Sequence, residues 1–336
     1  MPVRTIVIQR SQAGQSVAEV LRGTLRLGRG LILQYLRDRQ VRLGGHLCQA
    51  PGRRVRSGQR LEIMLAAPKK AAHKAPRGGK KASERPAPIR SPLAGAIRVR
   101  YLDAHILVVD KPAGLTTVRH ASEKEELGRR AQKFLPPTLV DLLPGILPVK
   151  ERTGRFRAVH RLDKETSGLV VLARTAAAET HLGLQFRAHT IERAYLALVR
   201  GRARAQRIES HLLRDRGDGR RGSGPTEEGQ RAVTTIEVVE KLGDFTLVAC
   251  RLETGRTHQV RIHLGEHGTP LCGERVYDRP LHGKPAPDTS GARRPLLHAT
   301  VLAIDHPASG QRLTWKAKLP KDMDEVLRKV RYHKKS

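Results

Sequence analysis

The stretch His160-Arg161-Leu162-Asp163-Lys164-Glu165-Thr166-Ser167-Gly168, followed by Leu169-Val170-Val171-Leu172-Ala173, decides how the chain is read. An unbroken apolar run after Ser-Gly predicts a strand buried on both faces and entered from a tight turn. Ahead of the turn, Val159, Arg161 and Asp163 alternate with His160 and Leu162. If that piece is extended, Arg161 and Asp163 project from the same face, because strand side chains repeat every two residues. An arginine and an aspartate then sit together at the mouth of a central sheet. An isolated R-x-D is usually a surface ion pair; the length of the string H-R-L-D-x-x-T-S-G argues for more.

At 336 residues the chain is long enough for one sizeable core and a smaller module. Its 64 Lys and Arg against 32 Asp and Glu give a formal charge of +32. No core needs such an excess, and it repels itself in the compact state. A polyanion relieves that repulsion and releases counterions, which makes nucleic acid the leading partner. An anionic membrane surface is the alternative, and no long apolar run or leader-like N-terminus supports it. Cys48, Cys250 and Cys272 are far apart and form no C-x-x-C pair, which predicts a reducing, cytoplasmic setting without a disulfide framework. The 15 histidines show no metal-ligand spacing, so no metal is expected. Aromatic residues make up 3% of the chain, so RNA held by charge and shape is expected rather than extensive base stacking.

Residues 1–65 form a first unit. Thr5 to Ile8 reads as a strand, and Ser16 with Glu19 as a capping box ahead of Val17, Val20, Leu21 and Leu25. A second helix is predicted over 31–39, with Ile32, Tyr35 and Leu36 on one face. Val41 to Leu43, a Gly44-Gly45 turn and Leu61 to Met64 complete it. Two small helices, short strands and a basic helix face resemble an S4-type RNA-binding module, although Gly28-Arg29-Gly30 stands where that family tends to have a serine. Residues 66–96 lose all hydrophobic periodicity and read as a flexible basic linker.

Residues 97–325 form the main domain. Ile106 to Leu115 reads as a buried strand closed by a Pro-Gly turn, and a charged surface helix is expected near Glu123 to Arg130. Leu139, Leu142 and Leu143 mark a short helix, Thr175 to His189 another, and Arg193 to Val199 a strand. The glycine-rich 213–230 segment reads as a mobile loop. Val233 to Val239 and Phe245 to Leu252, joined through Gly243-Asp244, predict a hairpin. Thr254 to Leu264 reads as a helix with Val260 and Leu264 toward the core and Thr257 with Arg261 on another face. Residues 326–336 read as a basic tail.

The aspartate string closely resembles the motif of the RluA-type pseudouridine synthases. Three further stretches match that family in order: Asp110-Lys111-Pro112-Ala113-Gly114-Leu115, the R-x-Y-x-A-x-V of Arg193 to Val199, and Thr254-Gly255-Arg256-Thr257-His258-Gln259-Val260-Arg261-Ile262-His263-Leu264. Leu296 to Ala299 and His306-Pro307 extend the match over roughly residues 100–320. The resemblance implies an α+β protein: an S4-like module plus a catalytic domain on a mixed, mostly antiparallel sheet. It also implies that Asp163 is catalytic, that Tyr195 packs on the target base, and that Arg261 pairs with the catalytic carboxylate.

No cofactor motif is present, so the reaction is expected to run on side chains alone. Isomerising uridine means breaking the N1–C1′ bond, turning the uracil and rejoining it through C5. An ionised Asp163 can serve as nucleophile or base, and a neighbouring Arg261 favours the ionised form. A stacked uridine must also be extruded. Arg161 is the candidate to fill the vacated space or hold the flipped phosphate, since a planar guanidinium suits both. The expected substrate is large-subunit, 23S-type ribosomal RNA, with tRNA as an alternative and a monomer as the default state. Two other readings stay open: a non-catalytic RNA-binding or ribosome-assembly protein, and a carboxylate-pair hydrolase using Asp163 and Glu165. The hydrolase is disfavoured because such pairs flank a glycosidic bond from opposite sides.

Overall fold

The computed structural model of the chain describes residues 3–25, 32, 35–36, 40–48, 50–64, 91–119, 135–152, 155–279, 283–285 and 287–335. It divides into two units, Met1–Arg85 and Pro86–Ser336.

In the first unit, Ser16 caps the helix α1 (Val17–Leu25) as the sequence predicts. Ser16 N donates to Glu19 Oε2 at 2.7 Å, and Glu19 N donates back to Ser16 Oγ at 3.3 Å. The strands β1 (Val3–Val7), β2 (Val41–Leu43), β3 (His46–Leu47) and β4 (Arg60–Met64) form an antiparallel sheet in the order β1-β4-β2-β3. Ile32, Tyr35 and Leu36 are helical, and Ile32 and Leu36 are buried with Val17, Val20, Leu21, Leu61 and Ile63. The rest of the predicted second helix, and Gly28 to Gly30 before it, lie outside the described residues.

The second unit is built on an eleven-stranded sheet. Its strands are β5 (Arg98–Leu102), β6 (Ile106–Lys111), β7 (Arg157–Ala158), β8 (Ser167–Ala173), β9 (Glu192–Arg200), β10 (Gln206–Leu213), β11 (Gly222–Gly224), β12 (Gln230–Leu242), β13 (Phe245–Leu252), β14 (Leu297–Asp305) and β15 (Arg312–Lys316). The order is β11-β10-β12-β13-β9-β14-β8-β6-β5, with β15 on β14 and β7 on β8. Every pairing is antiparallel except β8 with β14, so the sheet is mixed and mostly antiparallel.

The decisive apolar run is β8, and all of its residues are buried. Its side chains alternate between two cores. Val170 and Leu172 join Leu107, Val109 and the helix α2 (Leu139–Ile146) on one face. Leu169, Val171 and Ala173 join Ile106, Val108 and the helix α3 (Ala176–Arg187) on the other. A strand covered on both sides needs no polar face, which is why its sequence is continuously apolar. Gly168 sits at φ +116°, and a Cβ there would stand 2.3 Å from the Ala299 carbonyl oxygen. The parallel contact of β8 with β14 therefore requires the glycine of the T-S-G string.

Several expectations need correction. Residues 91–96 do not belong to a linker: Ala94–Ala96 form a short 3-10 helix, and Leu93 and Ala94 pack on the main core. The rest of the predicted linker, 66–90, and the predicted helix over Glu123 to Arg130 lie outside the described residues. The 213–230 segment is more than a loop, since β11 pairs with β10, a strand the sequence pattern did not reveal. There Arg216 pairs with Asp218 and Glu266, which ties the turn to the helix α4 (Gln259–Glu266). The basic tail is the end of the helix α5 (Lys321–Lys335), which buries Met323, Leu327 and Val330 against the sheet. A repeat at i, i+4 and i+7 is an amphipathic signal that the basic residues masked.

Candidate active site

The segment from Arg161 to Asp163 pairs with no strand, so the predicted extension is a loop between β7 and β8. Its alternation survives because alternate residues are held from behind. His160 Nε2 accepts from Val171 N at 3.0 Å while the ring stacks on Phe186. That bond fixes His160 as a neutral acceptor, and burial pulls its imidazole down to about 3. Thr117 Oγ1 donates to Leu162 O at 2.9 Å and accepts from Leu162 N at 3.1 Å. The Lys164 carbonyl accepts from Gly114 N at 2.8 Å and from Lys111 Nζ at 3.3 Å. Lys111 is fully buried, donates also to Pro112 O and Leu115 O, and is pulled down by burial to about 7, with Asp163 opposing. The K-P-x-G stretch thus builds a floor under the aspartate string.

Arg161 and Asp163 both line a cavity of about 420 Å³. That volume lies within the range of small-molecule sites and accommodates a base. Tyr195, on β9, is 7% exposed and forms one wall. Burial raises its phenol above the ordinary value, Arg193 opposes the shift, and Asp163 adds to it. Arg193 lies over the Phe186 ring at 5.4 Å and donates to Glu253 O at 3.3 Å. Arg187 and Arg256 also line the cavity, which makes it strongly cationic around one carboxylate.

Helix α4 begins at Gln259, so Thr257 precedes it, which corrects the expected helical face; Val260 and Leu264 do pack in the core. Arg261 reaches the cavity but does not pair with Asp163. Its Nε and Nη2 bind Glu274 Oε2 and Oε1 at 2.7 and 2.8 Å. Glu274 Oε1 also accepts the backbone N–H groups of Arg275, Val276 and Tyr277. Burial pushes the Glu274 carboxyl up, but Arg261 and these N–H groups outweigh it and hold it low. The basic side chain facing Asp163 is His258, with Nε2 at 3.8 Å from Oδ1. His258 Nδ1 lies 2.7 Å from Tyr277 OH. Asp163 keeps 18% side-chain exposure.

The sequence reading missed His258, although Thr257-His258-Gln259 stands inside a string it singled out. It also missed Thr117 and Glu274, which carry no local pattern. Among the described residues, no three His, Cys, Asp or Glu side chains gather as a metal site. No helix among them is long and apolar enough to cross a membrane.

A family model described as RNA pseudouridylate synthase matches residues 105–266, which contain Asp163, Tyr195 and Arg261. The ribosomal large subunit pseudouridine synthase D of Pseudomonas aeruginosa is 35% identical over 232 residues, 67% of this chain and 69% of that protein. The chain belongs to the RNA pseudouridine synthase family. An uncharacterized member from Bacillus subtilis, YhcT, is 30% identical over 332 residues, 96% of either chain. The synthase D of Nitrosomonas europaea is 37% identical over 239 residues, 70% of this chain; the match spans 65% of that relative, just under two thirds of its length. The human RNA pseudouridylate synthase domain containing 4 shares the fold, with a TM-score of 0.56 at 24% identity, covering 71% of this chain and 95% of that one.

Proposed function

We propose that the chain isomerises specific uridines to pseudouridine in a structured RNA, with Asp163 as the catalytic carboxylate. The observation that carries this reading is a single, partly exposed aspartate in a base-sized cavity lined by arginines and a buried tyrosine. A carboxylate there is available as nucleophile or base, and the surrounding cations favour an anionic substrate. The exposed Arg161, beside Asp163, takes the space or the phosphate of the extruded nucleotide. Tyr195 closes on the uracil. Arg261, locked to Glu274, acts on the carboxylate through its charge at a distance.

Large-subunit ribosomal RNA is the substrate we favour, because the Pseudomonas and Nitrosomonas relatives carry that substrate in their names. Residues 1–65 serve as an S4-like docking module, a role suited to their small helix-and-sheet core and to the +32 charge of the chain.

The test is Asp163→Asn. Wild type and variant are incubated with ribosomal RNA and tRNA transcripts carrying C5-tritiated uridine, and tritium release is followed. C5 loses its hydrogen only after the new carbon–carbon bond forms, so binding alone gives no signal. Release by wild type and none by the variant supports the synthase and names the RNA class. Tight, salt-dependent binding with no release from any RNA favours a non-catalytic scaffold.

A further inference from the structure

The isomerisation proposed above leaves one proton without an acceptor. When C1′ joins C5, that carbon carries both the ribose and its original hydrogen, and N1 is doubly bonded to C6. The C5–H bond must then break and its electron pair form C5=C6. The N1=C6 pair moves to N1, which takes a proton, so no proton is lost overall. We infer that His258 accepts the C5 proton through Nε2, an inference that rests on the proposed uridine isomerisation.

Of the histidines that line the cavity, His189 is exposed and has no ion pair with Asp163, whereas His258 is half-buried and faces it. Arginines cannot accept a proton. The Nε2 of His160 is already used by Val171 N–H. Tyr195 is held as a neutral phenol by burial. His258 lines the same cavity, and its Nε2 stands 3.8 Å from Asp163 Oδ1, too far for a direct hydrogen bond. Its Nδ1 lies 2.7 Å from the Tyr277 hydroxyl, and in the tautomer with the proton on Nδ1 that nitrogen donates there and Nε2 is bare. Burial lowers the basicity of His258, so the imidazole is unprotonated and ready to accept. Once protonated, it faces the charges of Asp163 and Glu274, opposed by Arg261 and Arg221. Its backbone lies in the left-handed region at φ +61°. Such strain in a residue other than glycine persists where the surroundings over-determine it, typically at functional sites.

His258→Gly and His258→Asn suit that backbone and remove the base. Tritium release from C5-labelled ribosomal RNA should fall about 100-fold in both, the usual scale of a lost general base. RNA affinity should stay within about 3-fold, since the substituted group is no phosphate contact. Imidazole in the buffer should restore release by the glycine variant, and C5-deuterated RNA should react more slowly than unlabelled RNA in both variants. Near-wild-type release by either variant overturns the inference. So does a loss that imidazole does not restore and that shows no isotope effect, because that marks a purely structural role. Absence of release by wild type on every RNA undoes the function reading instead.

Discussion

Arg261 grips Glu274 through two parallel bonds of 2.7 and 2.8 Å, and the pair is nearly buried. The guanidinium also lies over the Tyr277 ring at 5.2 Å. One arginine thus links helix α4 to the segment that presents Tyr277 to His258.

Removing one partner of such a pair strands a buried charge. Glu274→Ala should cost about 3–5 kcal/mol of stability. It also removes the acceptor of three backbone N–H groups. Urea unfolding measures it, and a loss under about 1 kcal/mol would show that water re-solvates Arg261 easily.

Thr117 is the second lever on the site. Its hydroxyl both donates to and accepts from the backbone of Leu162, the residue before Asp163. Thr117→Val keeps the shape and deletes both bonds, leaving a buried N–H and carbonyl unsatisfied. Stability should fall by about 1–3 kcal/mol. Because a shift of about 1 Å in a catalytic group lowers rates about 100-fold, turnover should drop by about 10–100-fold with RNA affinity preserved. Single-turnover kinetics beside a filter-binding titration separates the two, and unchanged turnover would refute the staple.

Gly168→Ala tests the β8–β14 contact. The added methyl meets the Ala299 backbone at 2.3 Å, where neither strand can yield without breaking the sheet. A loss of more than about 4 kcal/mol or insoluble expression is expected. A soluble variant melting within a few degrees of wild type would contradict the register.

The sequence is legible where one element suffices to explain a residue. The run from Leu169 to Ala173 is apolar throughout because both faces are covered, and Ser16 and Glu19 cap their helix within one turn. Arg161, Asp163 and Tyr195 were findable because the strings around them are long, and the structure brings all three to one cavity. The partner of Arg261 was not findable. Glu274 lies on an irregular segment, and only tertiary packing sets it against helix α4. Strand β10 escaped for a related reason: just Ile208 and Leu212 of it are fully buried, too few for a pattern.

The pH dependence of stability follows from three buried histidines, one of them His160, whose imidazole burial pulls down to about 3. His263 is 0% and His298 1% exposed, and burial pulls each imidazole down to about 4. His263 sits between Thr234 and Ser210, and His298 faces Ser167 at 2.8 Å. In the unfolded chain all three titrate near about 6.5. Between those values the unfolded state binds protons that the folded state does not. Their contribution is therefore full above the unfolded value and is lost as pH falls. Each histidine should remove up to about 1.4 kcal/mol per pH unit, or about 5 kcal/mol for the three between pH 6.5 and 5. The buried carboxylates held low, such as Glu274, add the same sign only at more acid pH. Urea midpoints at the two pH values measure the loss, and His298→Asn should remove about a third of it. Equal midpoints for wild type would mean that the three histidines take up a proton without unfolding.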